Sequence, residues 1–102
     1  MSNIFEIIDK RGKRIHLSKE RWTHITSPIS PHAYMVNYLE EIKQTLEKPD
    51  KILEDDFSES IKYFYKFYKH SKKPKRYLCV AINYLNGEGY VLTAYATKDI
   101  KW

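Results

Sequence analysis

The spacing of apolar residues changes along the chain. Ile4-Phe5-Glu6-Ile7-Ile8 is a dense apolar and β-branched run of strand type. Lys10-Arg11-Gly12-Lys13 then supplies a turn before Arg14-Ile15-His16-Leu17 returns, which predicts an N-terminal hairpin. Ser18 is a good N-cap, and Trp22 and Ile25 set among Lys19, Arg21 and Thr23 suit a short helix that stops before Pro28. His24 rides on that helix. Ser27-Pro28-Ile29-Ser30-Pro31 reads as a loop whose Ser30 caps a second, longer helix with Pro31 at its first position. Tyr34, Met35, Tyr38, Leu39, Ile42, Thr45 and Leu46 recur at helical spacing until Pro49-Asp50 ends the run.

From Lys51 onward the period is that of a sheet. After Ile52-Leu53, the residues Ile61, Tyr63, Tyr65 and Phe67 alternate with Lys62, Phe64, Lys66 and Tyr68, so one set faces a core and the other is a second surface. His70 to Lys75 is a basic turn, and Arg76 to Tyr84 is an apolar strand of central character. Asn86-Gly87-Glu88-Gly89 closes a hairpin onto Tyr90 to Ala96. The fold class expected is α+β: an N-terminal hairpin and two helices packed on an antiparallel β-sheet of about three or four strands, whose open face forms a cleft. With 102 residues there is room for one hydrophobic core, so residues 1–102 are read as a single domain.

Composition narrows the function. Hydrophobic residues make up 42% of the chain and aromatic residues 15%, enough apolar surface to fold. The opening Met1-Ser2-Asn3 has no apolar leader and no apolar run is long enough to cross a bilayer, so the expectation is a cytoplasmic protein without a membrane partner. Cys79 is the sole cysteine, and no two of the four histidines have the spacing that puts two imidazoles on one helix face. No bound metal is expected, and no cofactor is implied, since phosphate-loop, dinucleotide, zinc-protease and serine-hydrolase signatures are all missing. The formal net charge of +5 favours polyanionic partners.

What remains is a set suited to proton transfer: His24, the tyrosines of the second half, Thr93, and many Lys and Arg. RNA carries its own nucleophile, the 2′-hydroxyl. Cleavage therefore needs a group to take its proton, a group to protonate the departing 5′ oxygen, and charge to steady the phosphorane. Thr93 and Tyr95 are two residues apart in a predicted strand and emerge on one face.

Glu20-Arg21-Trp22-Thr23-His24-Ile25, a helix ending Thr45-Leu46-Glu47-Lys48-Pro49-Asp50, the strand around Tyr63-Phe64-Tyr65-Lys66, Tyr77-Leu78-Cys79-Val80-Ala81 and Leu92-Thr93-Ala94-Tyr95 together resemble the phage and bacterial barnase–EndoU–colicin–RelE-like nucleases. The likeness covers nearly the whole chain. It implies a metal-independent RNA endonuclease, toxin-like, that cleaves by 2′-hydroxyl attack. The catalytic positions it implies are His24, Thr93, Tyr95 and Tyr65, with Arg21, Lys66, Lys75 and Arg76 holding substrate. RNA is the implied partner, with an antitoxin or immunity protein as the restraint that toxins of this kind carry. One departure stands out: relatives open the second helix with His-Pro-Glu, whereas this chain has Ser30-Pro31-His32-Ala33.

Each candidate also has a plainer reading. His24 suits a capping or packing role on a short helix, the tyrosines suit strand packing, and the Lys72 to Arg76 cluster suits a solvated turn. The rival to an enzyme is a non-catalytic RNA-binding or protein-partner-binding module that spreads aromatic and basic side chains over the open face.

Overall fold

A computed structural model describes residues 3–68, 77–98 and 100. The predicted hairpin forms from β1 (Asn3–Ile8) and β2 (Arg14–Ser18). Its turn closes on Asp9, whose Oδ1 accepts from the backbone N–H groups of Arg11 at 2.8 Å and Lys13 at 2.9 Å. Asp9 Oδ2 accepts from the Tyr84 hydroxyl at 2.7 Å, so this buried carboxylate ties the turn to the sheet. Ser18 ends β2 and caps α1 (Lys19–Thr26), its Oγ accepting from Arg21 N–H at 3.0 Å.

The single long helix expected after Ser30 is instead two pieces. A 3₁₀ turn spans Ala33–Asn37, and α2 begins afresh at Leu39 and runs over Leu39–Glu47. Ser30 Oγ accepts from His32 N–H at 3.0 Å, closing a local turn across Pro31 instead of capping a helix. Aromatic, β-branched and Asn side chains make Tyr34-Met35-Val36-Asn37-Tyr38 a weak helix former. The tight turn buries Met35 alone from this stretch, and α2 restarts in a register that buries Ile42, Thr45 and Leu46.

The rest of the chain supplies β3 (Lys51–Glu54), β4 (Ile61–Phe67), β5 (Tyr77–Leu85) and β6 (Glu88–Thr97). Asn86 at φ 54° and Gly87 at φ 82° make the two-residue turn between β5 and β6, where positive φ at both positions matches the twist of the flanking strands. The sheet has six strands in the order β1-β2-β6-β5-β4-β3. It is therefore larger than expected and not wholly antiparallel. The N-terminal hairpin joins it through a short parallel pairing of β2 with β6, Ile15 opposite Gly89 and His16 opposite Tyr90. Burial explains the joining, because Ile15 and Leu17 are both fully buried only once the hairpin extends the sheet.

Both helices lie on one face of the sheet. Phe64, Val80, Ile82 and Ala94 point to them and meet Ile25, Met35, Ile42 and Leu46 in one core. Alternation then sends Tyr63, Tyr65, Cys79, Ala81, Thr93 and Tyr95 to the other face. A bulge at Leu92, where Ala81 opposes Thr93 but Ile82 opposes Val91, keeps both Val91 and Ala94 buried.

Candidate functional site

On the face away from the helices the ladder lays out two rows. Tyr65, Cys79 and Tyr95 sit side by side across β4, β5 and β6; Tyr63, Ala81 and Thr93 form the next row. Thr93 and Tyr95 thus share a face with Tyr65. The middle of the first row is closed: Cys79 is fully buried between Tyr65 and Tyr95, whose side chains act on its thiol. Burial pushes the Cys79 thiol up and pushes the Tyr95 phenol well above its ordinary range, the thiol contact adding to the shift at Tyr95. Tyr95 is therefore a neutral hydroxyl at any physiological pH.

The imidazole at this row is His32. Its ring stacks on Tyr95 with centroids 5.3 Å apart and planes inclined by 27°. Tyr34 fixes the segment that delivers it, because its hydroxyl accepts from the Ala96 N–H at 2.9 Å and its ring meets His32 edge-on. The 3₁₀ turn thereby grips the outer edge of β6, and the tight turn at Ser30 sets where His32 falls.

Beyond Tyr95 and Tyr65 the face dips into a hollow of about 330 Å³, walled by Leu53, Tyr63, Tyr65, Tyr95 and the Asp55-Asp56-Phe57 loop. Asp55 Oδ1 accepts from the Tyr63 hydroxyl at 2.7 Å and Oδ2 from Phe57 N–H at 3.0 Å. The Tyr63 bond holds the Asp55 carboxyl below its usual range and raises the Tyr63 phenol in turn. This lip is acidic, so the hollow disfavours an anion at that edge.

The other residues singled out by sequence are scattered. His24 is exposed on α1, in a shallow depression with Lys19, Glu20, Thr23 and Ser27 that shares no residue with the hollow. Lys66 faces the helix side and donates to the Lys48 carbonyl at 2.9 Å, closing the end of α2. Arg21 borders a separate depression on β2 and β6 with His16, Ser18 and Tyr90. Lys75 and Arg76, with the rest of the basic turn, lie outside the described residues.

Sequence reasoning did not single out His32 or Asp55, nor a second polar cluster around His16. His16 Nε2 is hydrogen-bonded to Glu88, its Nδ1 lies 3.4 Å from Glu6 and 3.3 Å from the Asn3 amide, and its ring stacks on Tyr90. The His16 contact, followed by the charge of Arg14, holds the Glu88 carboxyl below its usual range. His32 left no signal of its own, since the Ser30-Pro31-His32-Ala33 step reads only as the opening of a helix. The Glu6–His16–Glu88 line left none, since its members come from three strands. Among the described residues no three His, Cys, Asp or Glu side chains converge as a metal site requires, and no helix is long and apolar enough to cross a membrane. No family model, curated protein or solved structure matches this chain.

Proposed function

We propose that the chain is an RNA endonuclease that cleaves by 2′-hydroxyl attack, of the barnase–EndoU–colicin–RelE-like kind that its sequence resembles, with His32 in place of His24 as the reacting imidazole. The observation that carries the reading is the stack of His32 on Tyr95, beside Thr93 and on the sheet face opposite the helices. An imidazole carried by the turn at Ser30 and a neutral phenol donor carried by β6 are stacked on each other, a pairing that suits general acid–base chemistry.

In the proposed step, His32 takes the proton of the 2′-hydroxyl as O2′ bonds to phosphorus. The Tyr95 hydroxyl gives its proton to O5′ as the P–O5′ bond breaks. The products are a 2′,3′-cyclic phosphate and a 5′-hydroxyl, and solvent returns the proton from imidazolium to phenolate. The raised Tyr95 phenol stays protonated at neutral pH and so has a proton to give to the leaving oxygen. In the same step Thr93, next to Tyr95 on the same face, donates to a phosphoryl oxygen; their shared face supports this role. The net charge of +5 favours a polyanionic substrate, and the toxin-like reading adds an antitoxin or immunity protein as restraint.

The test is cleavage of bulk RNA in EDTA by the wild type, His32→Ala, Tyr95→Phe and His24→Ala. Each of the first two substitutions is expected to lower kcat by about 10²- to 10⁴-fold. A wild type that binds RNA without cutting it would identify a binding module instead. A loss confined to His24→Ala would overturn the assignment of His32.

A further inference from the structure

The same face carries a second aromatic position, some distance from His32. Tyr90 is 44% exposed, while Gly89 and Val91 on either side of it are buried. Five residues along β6 from Tyr95, it lies roughly 15 Å away at the rise of a strand, further than one nucleotide reaches. Its ring is backed by His16, centroids 5.2 Å apart and planes inclined by 20°. His16 is itself fixed by Glu88, Glu6 and Asn3, so the Tyr90 ring is held from behind and open in front. Arg21 and Ser18 line the depression beside it, and the Glu88 carboxylate is turned to His16 and to Arg14, 4.0 Å away.

We infer that Tyr90 is a stacking platform for a second nucleotide of single-stranded RNA, with Arg21 contacting the neighbouring phosphate. The inference rests on the ribonuclease reading for its substrate class. A base can lie flat on an exposed ring only when it is free of a duplex, so the surface selects single strands. The fixed backing keeps the ring in one orientation, which lowers the ordering cost of binding.

The probe is a fluorescein-labelled eight-nucleotide 2′-O-methyl RNA, which 2′-hydroxyl attack cannot cleave, followed by anisotropy. Tyr90→Ala is expected to weaken binding about tenfold, the size of one lost base–aromatic stack, whereas Tyr90→Phe keeps the ring and stays within about twofold. Arg21→Ala should lower the slope of log affinity against log salt by about 0.7. Tyr90→Ala binding as tightly as the wild type, or a wild type that does not bind the strand or prefers the matching duplex, overturns the inference. Cleavage of unmodified RNA is read separately. A wild type that binds this probe through Tyr90 but cuts nothing refutes the nuclease reading alone. Cleavage without any Tyr90 dependence of binding refutes the platform alone.

Discussion

Alanine at position 89 places a methyl group where the core has no room. A Cβ there collides with Ile15 Cδ1 and falls 2.9 Å from Tyr84 Cε1 and 3.0 Å from Ile82 Cγ2. All three neighbours belong to the packed interior, and Ile15 is fully buried, so its terminal methyl has little space to yield into. Gly89 also stands directly opposite Ile15 in the parallel pairing that joins the hairpin to the sheet. Overpacking of this kind costs about 1–3 kcal/mol. At about 2 kcal/mol the melting temperature of a domain this size falls by roughly 8–16 °C. Urea unfolding of four proteins measures it: wild type, Gly89→Ala, Ile15→Val and the double variant. Ile15→Val alone costs about 0.5–1.5 kcal/mol, but it removes the Cδ1 that the new methyl meets. The double variant should therefore be more stable than the two losses added, by about 1 kcal/mol. A Gly89→Ala midpoint equal to that of the wild type, or additivity within about 0.5 kcal/mol, would refute the close approach of β2 to β6.

Three further outcomes follow from the same contacts. Asp9→Ala strips the Tyr84 hydroxyl and two turn N–H groups of their acceptor, and should cost about 2–4 kcal/mol in urea unfolding. Tyr63→Phe removes the bond that lowers the Asp55 carboxyl and raises the Tyr63 phenol. A lowered carboxyl stabilises the fold above its unfolded value of 3.8 and loses that effect as pH falls through the folded one. A raised phenol stabilises it below 10.0 and loses the effect as pH rises through its folded value. The gap in melting temperature between wild type and Tyr63→Phe should thus be widest between those limits and close at both ends; a gap constant with pH would count against the pairing. Cys79, buried with its thiol pushed up, should react with Ellman's reagent only on unfolding, and fast labelling of the native protein would contradict the closed Tyr65–Cys79–Tyr95 row.

Local signals carried much of the architecture. The hairpin turn at Lys10–Lys13, the Ser18 cap, the Asn86-Gly87 turn and the alternation along β4 depend on neighbours in the chain, and the elements they predict are present. The same alternation put Thr93 and Tyr95 on one face, because a period of two survives whatever the partner strand. The break at Tyr38 was masked by aromatic residues that fit helical spacing; the weak helix formers of 34–38 permit a break, and burial of Met35 in a tight turn decides for it.

The amino-acid sequence by itself determined the fold class, the hairpins and which side chains alternate together, all consequences of short-range geometry. The tertiary structure decided that β2 runs parallel to β6, that Lys66 serves the end of α2, and that His32 and not His24 meets Tyr95. Those outcomes depend on where a turn and a sheet edge deliver residues far apart in the chain. That delivery is set by burying Ile15, Leu17 and Met35, and no local pattern encodes it.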